Sequence, residues 1–180
     1  MAFQPFDLTG RVVLITGGNS GIGLGMAQGL LEAGAEVCIW GTNPEKNAAA
    51  LAQLEKVGPK VTAALCDVAN EEAVNSAFAQ VLADHGRVDG CFANAGVGGR
   101  GTGFDNITKE EWDHIIGVNQ TGVFHTFRAA AKHMRERANN RFEIKTLCRI
   151  LEAAPGVVCE LGTNFRQCTT VNTHELTKFR

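Results

Sequence analysis

The sequence predicts an α/β domain built on a doubly wound parallel sheet, and three observations carry that expectation. Over residues 11–140, short β-branched or apolar runs alternate with longer stretches of helical spacing. Strands alternating with helices of that length form βαβ units. The short runs are almost continuously hydrophobic, as strands covered on both faces must be. A cluster of glycines directly follows the first run and opens the first helix. With 180 residues, 44% of them apolar, the chain suffices for one domain with a sizeable core.

The first strand is read at Val12-Val13-Leu14-Ile15. Next comes Thr16-Gly17-Gly18-Asn19-Ser20-Gly21-Ile22-Gly23. Glycines here permit a tight turn and let backbone amides approach a pyrophosphate. The following helix start supplies unpaired N–H groups and a favourable dipole. A glycine turn alone is common, so the strand-loop-helix context gives this one its meaning. The spacing predicts a first helix over residues 22–31, then a strand at Val37-Cys38-Ile39-Trp40 and a helix over 48–54. A strand at Val61–Leu65, a helix over 73–82 and a strand over 88–93 follow. The glycine-rich stretch 96–103 reads as a loop. Thr108-Lys109-Glu110-Glu111 is a capping box, in which Thr and Glu satisfy free amides. It announces a helix through residues 112–118, and a second helix is expected to reach Ala138.

At Asn139-Asn140 the texture changes. Residues 1–140 contain 21 Ala and 19 Gly, residues 141–180 only two of each. Eleven basic residues face 15 acidic ones before the boundary, and 6 face 4 after it. Two parts are therefore expected, a main domain over 1–140 and an atypical tail over 141–180, with the sheet incomplete on its C-terminal side.

The overall formal charge of −2 gives no electrostatic case for nucleic acid or an anionic membrane surface. No window approaches the roughly 20 apolar residues of a membrane span. The opening Met1-Ala2-Phe3-Gln4-Pro5-Phe6-Asp7 lacks the basic and apolar regions of a secretory signal. Cys38, Cys66 and Cys91 sit inside apolar runs and read as reduced, buried thiols, which points to a cytoplasmic protein. Cys148, Cys159, Cys168 and His174 lack finger or knuckle spacing, so no metal site is expected.

The segment at residues 16–23 resembles the short-chain dehydrogenase/reductase family, whose cofactor motif is TGxxxGxG. Three more segments carry the resemblance in chain order: Cys66-Asp67-Val68, Asn94-Ala95-Gly96 and Asn119-Gln120-Thr121-Gly122. Residues 6–11 also resemble the family's usual lead into its first strand. The resemblance covers roughly residues 6–138 and implies a Rossmann-like domain binding NAD(P). It implies dinucleotide contacts from Thr16, Gly17, Asn19, Ser20, Gly21, Ile22 and Gly23. It implies an adenine hydrogen bond from Asp67 beside Val68, and a cofactor-lining turn at Asn94, Ala95 and Gly96. Asn119 is the one member of the family's catalytic set it places, holding a helix kink and a water of the proton relay. Pairing into a homo-oligomer through the helices of residues 112–138 is a further expectation.

In such folds an Asp or Glu after the second strand takes the ribose 2′-hydroxyl of NAD, while an Arg nearby accommodates the 2′-phosphate of NADP. Here the residues are Trp40-Gly41-Thr42-Asn43, with neither acid nor Arg. Thr42 and Asn43 can hydrogen-bond either, so both NAD and NADP stay open.

Family chemistry transfers hydride between nicotinamide and an alcohol or ketone, with a Tyr as proton donor, a Lys four residues later and a Ser. This chain has no Tyr, and no Ser after Ser76. The missing set belongs where the texture changes. His174-Glu175-Leu176-Thr177-Lys178 echoes the spacing but stands too late in the chain, and such a pair arises easily by chance. His114, His125 and His133 read as surface or helix-face residues. The expectation is cofactor binding with little or none of the family's turnover. The alternatives are a non-catalytic dinucleotide-binding or interaction protein, and a truncated or frameshifted product of a family gene.

Overall fold

The computed structural model describes residues 7–99 and 104–138. Strands β1 (Val12–Thr16), β2 (Glu36–Gly41), β3 (Val61–Leu65) and β4 (Gly90–Phe92) alternate with helices α1 (Gly21–Glu32), α2 (Pro44–Leu54) and α3 (Glu71–His85). Helices α4 (Lys109–Ile116) and α5 (Gly122–Arg137) follow, joined by a π-helical turn at Gly117–Thr121. All pairings are parallel, in the order β3-β2-β1-β4. The chain starts in the middle and winds outward in both directions, which is the expected doubly wound sheet. The chain divides into two units, Met1–Met134 and Arg135–Arg180. The second lies almost wholly outside the described residues, as do the tail expected over 141–180, the cysteines at 148, 159 and 168, and His174.

Alternation along buried strands builds two core layers. Val13, Ile15, Val37 and Ile39 pack with Ala27 and Leu31 of α1 and with Ala50 and Leu54 of α2. Val12, Leu14, Cys38 and Trp40 pack on the opposite side with Val74, Phe78 and Val81 of α3 and Ala130 of α5. β1 is buried along its whole length, whereas β3 becomes progressively exposed toward Leu65. Cys38, Cys66 and Cys91 are free, buried thiols. Burial pushes Cys38 and Cys66 up to about 11 and Cys91 up to about 12. Among the described residues no group of His, Cys, Asp or Glu is arranged to hold a metal ion. None of their helices is long and apolar enough to cross a membrane.

Several boundaries differ from the sequence reading, each for a local reason. α2 begins at Pro44, not residue 48, because the Asn43 side chain accepts from Lys46 N at 2.7 Å and Pro44 is preorganised for the first turn. α3 begins at Glu71 behind Asn70, whose side chain accepts from Ala73 N at 3.0 Å. It ends on Gly86, at φ 72°. β4 is shorter than expected. Asp89 closes the sheet's lower edge, its carboxylate accepting from Val12 N at 3.0 Å and its own N–H donating to Val12 O at 2.7 Å. Val88 N donates to His133 Nε2 at 3.2 Å. His133, half-buried, therefore braces the start of β4, and the buried His125 contacts Val68 O through Nδ1 at 3.2 Å. Both stand on the inner face of α5, the helix-face alternative of the sequence reading. The Thr108 side chain does cap α4, accepting from Glu111 N at 3.2 Å.

Candidate functional site

The four strands end together, and the loops leaving those ends enclose a cleft of about 640 Å³. Its floor is the turn after β1. Gly17 N donates to Trp40 O at 2.7 Å, which brings the turn back over β2. Gly17 has φ 65°, and a Cβ there would meet Ala95 Cα at 3.0 Å. That combination of backbone sign and close approach suits glycine. Gly23 is needed for another reason. A Cβ there would stand 2.2 Å from Gly17 O and 2.6 Å from Asn94 Nδ2, so α1 lies directly on the turn. Ser20 occupies the N-cap of α1 but makes no side-chain capping hydrogen bond, unlike Asn43, Asn70 and Thr108 at the next three helices. The first N–H groups of α1 are left for another acceptor.

One wall is set by Asn94, whose Nδ2 donates to Thr16 O at 3.0 Å, while Ala95 N donates to Thr16 Oγ1 at 2.9 Å. These bonds join the ends of β1 and β4, the sheet's widest jump in sequence. The loop beyond β4 is held by Asn119 in the π-helical turn. Its Oδ1 accepts from Val97 N at 2.8 Å and its Nδ2 donates to Val97 O at 2.9 Å. The opposite wall is built on Asn47. This buried side chain donates to Gly41 O at 3.2 Å and Ala64 O at 3.1 Å, and accepts from Asn19 Nδ2 at 2.7 Å. At the end of β3, Asp67 is exposed and its Oδ1 accepts from Ala69 N at 3.0 Å.

Of the residues singled out from sequence, Gly17, Asn19, Ser20, Ile22, Gly23, Thr42, Asp67, Val68, Asn94, Ala95 and Gly96 line the cleft. Thr16 lies behind the wall, 1% exposed, and Gly21 opens α1 with φ 54°. Asn119 is outside the lining and acts on it through Val97. Sequence reasoning passed over Lys46, His114 and Val118 as lining residues. His114 and Val118 are four apart, one helical turn, which is the signal that pairs them on one face. Trp40, buried at the end of β2, also lines the cleft.

A sequence profile described as short chain dehydrogenase matches residues 11–141. The chain belongs to the short-chain dehydrogenase family. Among its curated relatives, gluconate 5-dehydrogenase of Gluconobacter oxydans (strain 621H) is 34% identical over 154 residues, covering 84% of this chain and 59% of the relative. The 5-keto-D-gluconate 5-reductase of Escherichia coli (strain K12) is 35% identical over 132 residues, covering 73% and 52%. The chain thus spans about half to three fifths of the length of these relatives. Similar solved structures include an NAD+-bound xylitol dehydrogenase, with a TM-score of 0.70, 31% identity and coverage of 72% of this chain and 50% of that one. A metagenomic short-chain oxidoreductase in complex with NADP has a TM-score of 0.68 and 33% identity, covering 73% and 59%.

Proposed function

We propose that residues 1–140 form a dinucleotide-binding domain that takes NAD(P)(H) in the cleft at the strand ends. The uncapped start of α1, facing a turn that only bare glycines can form, is the observation that carries this reading. The fit is specific to a backbone-held anion. The Gly17 and Gly23 positions keep the main chain open to a pyrophosphate, and Asn94 and Asn47 hold the two walls apart. Val68 and Val118 supply apolar surface, and Asp67 an acceptor, for the adenine end. Relatives named as dehydrogenases and reductases, with NAD+ or NADP bound in similar structures, support hydride transfer to or from a small alcohol or ketone. That substrate class is our reading for the family site.

The 180 residues themselves contain no Tyr and no Ser beyond Ser76. They therefore place no phenol as the general acid that such a hydride transfer requires, and Asn119 serves to position Val97. The profile match ends at residue 141, where the composition changes, and we read 141–180 as a tail standing in place of the catalytic segment. We infer that these 180 residues bind the dinucleotide and do not themselves supply the proton donor, in a cytoplasmic setting in keeping with three free buried thiols.

The test is a titration of the purified chain with NADH and NADPH, following transfer of Trp40 emission to the reduced nicotinamide. Saturable transfer with at least one of them is the expected result. No binding of either overturns the proposal. A second reading, pairing with a copy of itself or an intact family member, is favoured by Trp112 and Phe124, which are 47% and 57% exposed on α4 and α5. A sedimentation profile that stays monomeric at high concentration, alone and with the full-length homologue, removes it. The coding DNA from residue 135 onward decides the origin of the tail. A shifted frame encoding a Ser-containing strand and YxxxK there identifies a frameshifted product.

A further inference from the structure

We infer that the cleft selects NADP(H) over NAD(H), and that Lys46 is the residue that makes the selection by pairing with the ribose 2′-phosphate. This rests on the dinucleotide reading above. The overall similarity does not decide the matter, because an NAD+-bound and an NADP-bound structure match this chain with TM-scores of 0.70 and 0.68. The decision lies in the wall beyond β2. An acid that holds a 2′-hydroxyl needs a side chain at the end of that strand, and the structure closes that place. A Cβ on Gly41 would stand 2.1 Å from Asn19 Nδ2 and 2.5 Å from Asn47 Oδ1. The Asn19–Asn47 hydrogen bond fills the space a carboxylate would need. Asn47 is 6% exposed and tied to Gly41 O and Ala64 O, so it has no room to withdraw.

What remains on that wall is neutral or positive. Thr42 and Asn43 are exposed beside the bare Gly41, and Lys46 follows one turn into α2, all three lining the cleft. The Lys46 ammonium makes no ion pair or hydrogen bond with any described residue. Glu45, next to it in the chain, is outside the lining, and adjacent helical residues do not share a face. The carboxylate that does line the cleft, Asp67, belongs to the β3 end and engages Ala69 N. A 2′-phosphate placed against Thr42 and Asn43 therefore meets an unpaired cation and no acid on its own wall, whereas a 2′-hydroxyl gains nothing from Lys46. The serine at residue 20 and the asparagine at residue 19 bring no charge from the glycine turn, which leaves Lys46 as the discriminating group.

The experiment compares NADPH and NADH affinities for the full 180-residue chain and for Lys46→Gln and Lys46→Arg, with 2′-AMP and 5′-AMP as competitors. Lys46 is exposed and bonds no neighbour through its side chain, so both variants fold; circular dichroism confirms it. The unsubstituted chain binds NADPH about tenfold more tightly than NADH, the size of one charge-assisted contact. Lys46→Gln removes that advantage and leaves NADH affinity within about twofold, Lys46→Arg retains it, and 2′-AMP competes better than 5′-AMP. NADH binding as tight as NADPH overturns the inference while leaving the dinucleotide reading intact. So does a Lys46→Gln variant that weakens both cofactors equally. Failure of both cofactors to bind removes the dinucleotide reading and this inference with it.

Discussion

Asn47 shows how one side chain can set a site without touching a ligand. It satisfies two backbone carbonyls, at the end of β2 and in β3, and holds the side chain of Asn19 from the glycine turn. Removing it takes one donor from each carbonyl, although Gly41 O keeps the bond from Cys66 N at 3.1 Å, so the loss is about 0.5–1.5 kcal/mol per hydrogen bond. Asn47→Ala should therefore lower the urea midpoint and free Asn19, so that dinucleotide affinity falls as well. Stability loss with unchanged affinity would show that the pair matters only to packing. Neither Asn47 nor Lys46 was legible in the sequence, since no spacing marks them. Their roles depend on which residues the sheet brings across from 17 to 28 positions away. The glycine turn was legible because its constraint is local, a reversal between strand and helix.

At the scale of elements, legibility followed the same division. Strands and helix interiors were readable from apolar period, and the cap at Thr108 from its spacing to Glu111. The start of α2 was set four residues late because apolar spacing begins at Ala48, although Asn43-Pro44 is itself a start signal. The π-helical turn carries no periodic signature, and its purpose is non-local: Asn119 must reach Val97, 22 positions earlier. The contact between α1 and the turn beneath it makes the sharpest prediction here. Gly23→Ala places a methyl 2.2 Å from a backbone oxygen that cannot rotate away. We expect a loss of about 1–3 kcal/mol from overpacking, read by urea unfolding, together with loss of NADPH binding. Gly25→Ala is the control, because a Cβ there meets nothing within 4 Å. It should be neutral or mildly stabilising.

At the scale of the whole molecule, one of the two core layers carries a pH dependence that comes from thiols. Cys38 and Cys91 lie in the layer under α3, and burial raises them to about 11 and about 12. Unfolded cysteines ionise near pH ~8.5. The folded values are higher, so the unfolded chain releases these protons first. Their contribution is complete below about pH 8.5 and is lost as pH rises through the folded values. Urea midpoints should fall between pH 8 and pH 10.5, and Cys91→Ala should flatten that fall; an unchanged slope in the variant would assign the loss to other groups. Finally, the bonds that Asn94 and Ala95 make to Thr16 have a dynamic consequence. Among the described residues β4 pairs only with β1, over three register positions, and those two bonds close its upper end. The wall of the cleft is thus also the latch of the least-paired strand of the described sheet. A dinucleotide seated there should slow amide hydrogen exchange in Cys91 and Phe92 well before it affects β2, so that occupancy is reported by the opening rate of a single strand.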